Sequence, residues 1–304
     1  MELIKSDINI DFVGKIKMCI VISLIAILIG FISLIMNNGF KYGIDFSGGT
    51  LVQVKFAEAV KISAIRDALL TLDSENAVIQ RFGRIENNEF IIRIKTSSTD
   101  LRGLSEQMST ELTEGIGNLE IRRVEMVGPK VGKDLRRKAT YAIFFAFLGI
   151  LAYISFRFDY RFGIGAIIAI IHDVTITLGA ISITGIELDL PVIAALLTIV
   201  GYSINDTIII YDRVRENQRR FPKEKFHIVV NKSINQTLSR TILTSGTVIF
   251  VLVALYILGG EILKNFAFIL LIGVIAGTYS SMYIASPVVI FWSDVFVKKR
   301  KKRR

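Results

Sequence analysis
Along the chain the apolar residues gather into six blocks of membrane length, and one polar stretch of about a hundred residues separates the first block from the second. The blocks cover residues 18–36, 140–156, 163–183, 191–217, 240–258 and 266–292. A helix rises about 1.5 Å per residue, so roughly twenty residues cross the roughly 30 Å hydrocarbon core of a bilayer. The first block follows Lys5, Lys15 and Lys17, exceeds the apolar core of a secretory signal, and has no small-x-small cleavage site after it. It reads as an uncleaved membrane helix. The expectation is a polytopic α-helical protein with six transmembrane helices.

In the polar stretch the period changes. It opens on GIDFSGGT, residues 43–50, which is glycine-rich and turn-forming but lacks the Gly-Lys-Ser/Thr ending of a phosphate loop. Residues 51–56 alternate apolar and polar, as a half-buried strand does. Ile62, Ile65, Leu69 and Leu72 recur at helical spacing. Residues 77–81 and 90–95 predict two more strands, with Glu86-Asn87-Asn88 in the turn between them. Leu101, Leu104, Met108 and Leu112 predict a second amphipathic helix, and 119–127 a last strand. The order β-α-β-β-α-β is that of a small ferredoxin-like α+β domain. No catalytic constellation lies in it, so contact rather than chemistry is expected of it. VGPKVGKDL, residues 127–135, leads out: Gly128-Pro129 ends the strand, and a helix along the membrane surface is expected from Lys133.

Charge at membrane depth singles out three places. The fourth block is apolar to Val200, then carries Gly201, Tyr202, Ser203, Asn205 and Asp206 before a charged edge at Arg213, Arg215 and Glu216. A carboxylate inside such a helix costs roughly 2.5–3.5 kcal/mol on insertion scales, so it normally faces a partner or a wet cavity. Asp206 lies about five residues from Tyr211, where the run ends, so an interfacial, solvated role is the other reading. His172-Asp173 sits near the centre of the third block. Asp173 either carries chemistry or accepts hydrogen bonds from nearby Ser and Thr, and His172 is a packed histidine before it is a relay. Arg240 opens the fifth block and either snorkels to headgroups or, if helices four and five are neighbours, pairs with Asp206 at similar depth. An arginine keeps its charge, so such a pair suits proton movement. Gly273 and Gly277 have GxxxG spacing, which speaks only of close helix packing.

With 52% hydrophobic residues the chain is too apolar for an ordinary soluble domain. The net charge of +10 does not point to nucleic acid, because the basic residues form no recognition motif and seven of them are the tail 298–304. A single cysteine, Cys19, rules out an internal disulfide, and two distant histidines, His172 and His227, support neither a metal site nor a cofactor. Lys and Arg number twenty over 1–17, 157–161, 212–241 and the tail, against none in 184–190 and only Lys264 in 259–265. Positive charge favours the cytoplasm for short loops, so both termini are expected inside. The basic cluster 130–138 runs against the trend, but long translocated domains are largely exempt. The plan is a cytoplasmic stretch 1–17, a first helix 18–36, an extracytoplasmic domain and linker 37–138, and helices two to six with a basic tail over 139–304.

Read together, GIDFSGGT, VGPKVGKDL, AIIAIIHDV in the third block, VGYSINDTIIIYDRVREN through the fourth and LSRTILTS opening the fifth resemble the SecF family. The resemblance covers nearly the whole chain in the right order. It implies a six-helix bundle of the proton-driven RND superfamily, paired with SecD in pseudo-twofold fashion. Such a pair works in the bacterial cytoplasmic membrane beside the SecYEG channel, with YidC as a further neighbour, helping draw an unfolded preprotein outward after SecA has spent ATP. The chain itself is then no enzyme. Asp206 and Arg240 match the family's proton-relay carboxylate and arginine, Asn205 its preceding asparagine, and Asp173 ranks below them. Two other classes stay open: half of a small-molecule RND exporter, and a scaffold that transduces nothing.

Overall fold
A computed structural model of the chain describes residues 8–69, 77–83, 85–94 and 101–293. It divides into a helical unit, drawn from Met1–Lys41, Ala142–Ile186 and Pro191–Arg304, and an α/β unit, drawn from Tyr42–Tyr141 and Glu187–Leu190.

In the α/β unit the strands are β1 (Gly49–Phe56), β2 (Val78–Phe82), β3 (Glu89–Ile94) and β4 (Leu119–Val127). They form one antiparallel sheet in the order β2-β3-β1-β4, the ferredoxin-like arrangement expected from the element order. Alternation on β1 and β3 sends Val52, Val54 and Phe56 to the same face as Phe90, Ile92 and Ile94, with Val52 opposite Ile92 and Val54 opposite Phe90. That face is covered by Ile65 of a helix at Ile62–Ala68, by Leu69 just beyond it, and by Met108 and Leu112 of a helix at Leu101–Gly115. Leu72 and Lys95 lie outside the described residues. The glycine motif becomes a one-turn helix, Ile44–Ser47, and then Gly48 and Gly49 at φ +73° and +129°, a region that favours glycine. A Cβ on Gly48 would come within 2.9 Å of the Pro129 Cα, and one on Gly132 within 3.0 Å of the Gly48 N. The two sequence motifs are thus packed backbone to backbone. The loop Glu187–Leu190 joins them: Gly43 N donates to Leu188 O at 2.7 Å, Leu190 N to Asp45 Oδ2 at 2.9 Å, and Arg93 pairs with Glu187.

Counting the three short helices above as α2 to α4, the long ones are α1 (Ile16–Met36), α5 (Pro129–Arg157), α6 (Tyr160–Thr184), α7 (Leu190–Arg220), α8 (Phe226–Leu258) and α9 (Gly260–Ser280). α9 continues through a π-turn, Ser281–Ala285, and further helix to residue 293. All six are long and apolar enough to cross a bilayer. Two begin more than ten residues before their hydrophobic blocks. α5 starts at Pro129 rather than as a separate surface helix at Lys133, because a proline in the first turn gives up an N–H that has no helical partner anyway. α8 starts at Phe226 rather than Arg240, because Val229, Val230, Ser233, Ile234, Thr237 and Leu238 bury one stripe of a segment whose other faces carry polar residues such as Asn231, Lys232, Asn235 and Gln236.

The first helix inverts the usual sorting of side chains. α1 buries only Cys19, Ser23 and Gly30, while Met18, Leu24, Leu28, Phe31 and Ile35 point outward. Small residues inside and large apolar ones outside suit a lipid solvent. At the α1–α6 crossing a Cβ on Gly30 would meet the Gly179 Cα at 2.7 Å. At α7–α9 one on Gly277 would meet the Ser203 Cβ at 2.9 Å, so the GxxxG pair does serve close approach.

Candidate functional site
The carboxylates of the third and fourth apolar blocks are both buried in the helical unit, Asp173 at 0% exposure and Asp206 at 2%. Their surroundings differ. Asp173, on α6, accepts at Oδ2 from Ser203 Oγ of α7 and from Ser280 Oγ at 2.7 Å at the end of α9. Its Oδ1 lies 2.8 Å from His172 Nδ1. His172 reaches back with Nε2 to Ser23 Oγ of α1 at 3.0 Å and stacks on Tyr279 at 6.1 Å between ring centroids. Ser23 Oγ in turn donates to Tyr279 OH, which donates to the Cys19 carbonyl at 2.6 Å. One polar chain therefore ties α1, α6, α7 and α9 together through a fully satisfied carboxylate.

Asp206 is held loosely. Its Oδ2 accepts from Ser245 Oγ of α8 at 3.2 Å and from Thr278 Oγ1 of α9 at 3.5 Å, the limit of a hydrogen bond. Thr278 makes its shorter bond, 2.7 Å, to Ser245 Oγ instead. The other oxygen, Oδ1, is buried with no protein donor. A buried acceptor left unpaired is costly, and a carboxylate can relieve that cost by binding a proton.

One residue on along α7, Thr207 Oγ1 meets Ser281 Oγ at 2.9 Å, at the start of the π-turn. That turn offsets the backbone ladder, and the side chains around it take up the freed carbonyls: Ser286 Oγ donates to Ser281 O at 3.0 Å and Tyr211 OH to Ala285 O at 3.1 Å. Such bulges often mark places where a helix changes shape during function.

Arg240 is exposed on α8 and lies beyond ion-pair distance of Asp206. The helices α7 and α8 are neighbours at this level, since Tyr202 OH donates to Thr244 O at 3.2 Å. Arg240 precedes Ser245 by five residues, about 7.5 Å along the axis at 1.5 Å per residue. Asn205 is exposed and has no part in the polar chain. The structure thus brings Asp173, Asp206 and His172 into the interior and leaves Arg240 and Asn205 at the surface. Among the described residues no three His, Cys, Asp or Glu side chains gather as metal ligands would.

Comparison with known proteins places this geometry. Residues 107–295 match the family model "Protein export membrane protein SecD/SecF, C-terminal", and residues 33–60 match the "SecD/SecF GG Motif". The chain is 45% identical over its whole length to a protein translocase subunit SecF of Calditerrivibrio nitroreducens, covering 99% of that protein. The chain belongs to the SecF family. A second SecF, from Desulfurispirillum indicum, is 43% identical over 93% of this chain and 92% of its own. The crystal structure of SecDF, a translocon-associated membrane protein from Thermus thermophilus, superposes with a TM-score of 0.86 at 36% identity. That match covers 96% of this chain and 40% of the longer one. SecDF in a super-membrane-facing form gives a TM-score of 0.72 over the whole of this chain and 41% of its own. This SecF-family chain is a multi-pass membrane protein of six spans with a small antiparallel sheet after the first.

The GG motif coincides with Gly48-Gly49: the close backbone of Pro129 and Gly132 excludes a side chain at Gly48, and the positive φ of Gly49 disfavours one there. Sequence reading offered Ser and Thr donors as one role for Asp173 and noted Ser203 beside Asp206, but it did not assign Ser23, Ser203, Ser245, Thr278 or Ser280 as the hydroxyls that decide how each carboxylate is held. The available signal was the spacing of Ser203 and Asp206, which share one helix face.

Proposed function
We propose that this SecF-family chain is the proton-handling partner of a SecD in the Sec translocase. In this reading Asp206 binds the proton and Arg240 is its mobile counter-charge. The observation that carries it is the contrast inside one bundle: Asp173 has both oxygens engaged, by Ser203, Ser280 and His172, whereas Asp206 keeps a buried oxygen with no protein partner. An arginine drawn close favours the ionised carboxylate, and one withdrawn to the surface leaves the oxygen open to a proton. Protonation replaces an acceptor by a donor between α7, α8 and α9, where the bonds to Ser245 and Thr278 are long enough to be exchanged. Asp173 supports the relay by holding Ser203, three residues before Asp206, in place. Asn205, facing outward on α7, belongs to the side turned toward SecD.

The chain works in the bacterial cytoplasmic membrane with both termini in the cytoplasm and the ferredoxin-like unit outside, where an unfolded preprotein leaves SecYEG. It hydrolyses no ATP, which is the task of SecA, and YidC is a neighbour rather than a substrate. The test is preprotein translocation into inverted vesicles holding this chain and its SecD, with and without a proton gradient. Asp206→Asn and Arg240→Met are each expected to abolish the gradient-dependent stimulation while the complex still assembles. Stimulation unchanged in both would leave a scaffold.

A further inference from the structure
At one end of the bundle α5 stops at Arg157, α6 starts at Tyr160, and α7 runs on past both. Between them opens a cleft of about 680 Å³ lined by Arg157, Asp212, Arg215, Glu216, Arg219 and Arg220. Its two acids are already engaged: Asp212 pairs with Arg157 at 3.1 Å, and Glu216 with Arg213 at 2.6 Å outside the cleft. Arg215, Arg219 and Arg220 are in no ion pair among the described residues. Arg215 is oriented by the Arg157 carbonyl at 3.3 Å and by the Phe158 ring at 5.5 Å. Three guanidinium groups therefore line open space with no carboxylate paired to them, Arg215 spending one donor on the Arg157 carbonyl, and the planar fork of each suits a phosphate.

The position says which phosphate. Phe156, immediately before Arg157, is 94% exposed, and Tyr153 and Tyr160 are more than half exposed. Tyr160 packs edge-on against Trp292 at 5.9 Å, an aromatic pair of the kind that sits at headgroup level. A ligand here meets cations at one end and apolar rings at the other, which fits a lipid and not a soluble anion.

We propose that this cleft binds the headgroup of an anionic glycerophospholipid, with Arg215, Arg219 and Arg220 on the phosphate and the acyl chains lying along Phe156 and Tyr153. Occupancy would hold the α5 end against α7, the helix that carries Asp206.

Native mass spectrometry of the purified full-length chain tests this, with phosphatidylglycerol and phosphatidylcholine offered in equal amounts. Wild type is expected to retain phosphatidylglycerol preferentially. At about fivefold per arginine near an anionic surface, Arg215→Gln/Arg219→Gln should retain it roughly twentyfold less, and Lys223→Gln/Lys225→Gln should stay within about twofold of wild type. The lysine pair removes the same charge from the next loop, so equal losses in both pairs would overturn the site and leave a diffuse surface potential. Displacement of the lipid by inorganic phosphate alone would also overturn it. If the arginine pair fails to fold, Arg219→Gln alone, at an exposed position, should still lose roughly fivefold; a folded single variant that binds as wild type does would sink the proposal.

Discussion

Asp173 accepts from Ser203 and Ser280 and meets His172 Nδ1 at its other oxygen, so removing its carboxylate strands three polar groups in an interior that offers no replacement. Breaking a buried charged network by deleting one member costs about 3–5 kcal/mol in water-soluble proteins, and hydrogen bonds in membranes are worth somewhat less. Asp173→Ala is therefore expected to cost about 2–4 kcal/mol, read as an earlier thermal unfolding of the detergent-purified chain. Arg240→Met should do the opposite: exposed and unpaired with Asp206, it changes stability by less than about 0.5 kcal/mol while export stimulation is lost. The two variants separate what holds the bundle from what works in it. At this scale the acids were legible, and so was a hydroxyl environment for Asp173, but which hydroxyls serve was not. Asp173, Asp206 and His172 stand out in apolar runs because charge and polarity are expensive there. Serine and threonine do not, since in a membrane helix they can bond their own preceding carbonyl. Thr177 does so with Asp173 O and Thr244 with Arg240 O, whereas Ser203 and Ser245 reach across to a carboxylate. Nothing in the residue type tells the two behaviours apart.

Between helices the decisive contacts are the ones made by the smallest residues. At the α1–α6 crossing a methyl on Gly30 would sit 2.7 Å from the Gly179 backbone, which cannot yield as a flexible side chain would. Gly30→Ala must push α1 away and stretch the Ser33–Ser182 and Ser23–His172 contacts on either side of it. A cost of about 1–3 kcal/mol is expected, the usual range for overpacking. Gly201→Ala is the matched control, because a Cβ there meets nothing within 4 Å, and it should melt at or slightly above the wild-type temperature. The six spans were legible because block length alone separates a membrane helix from other elements. The start of α8 was not, because the amides and hydroxyls between residues 226 and 239 interrupt the apolar run and hide a buried stripe that only the helical period reveals. The α/β unit followed from the order of its elements, and the sheet order β2-β3-β1-β4 agrees with it. The packing of the GG motif on VGPKVGKDL could not be foreseen: each stretch reads as a turn by itself, and neither names the other as its neighbour.

For the molecule as a whole the open quantity is its sense across the membrane. Six spans put both termini on one side, and the choice rests on which basic residues count. The loop between α7 and α8 and the basic tail argue for the cytoplasm, while the cluster 130–138 argues against it. If short loops set the orientation and a long translocated domain is exempt, the first group wins. Cysteine labelling decides this cleanly, because the chain has a single cysteine, Cys19, which is buried. The hydrogen bond at that position comes from Tyr279 to the Cys19 backbone carbonyl, so Cys19→Ser keeps it. In that background Lys223→Cys, in the α7–α8 loop, is expected to react with a membrane-impermeant maleimide only in inverted vesicles. Glu58→Cys, exposed just after β1, is expected to react only in vesicles of native orientation. The reverse pattern would turn the α/β unit toward the cytoplasm, away from any emerging preprotein. It would also move the arginine cleft to the outer leaflet, so the export role would fall, whereas the lipid site, which needs only an anionic headgroup at that level, would stand or fall by its own experiment.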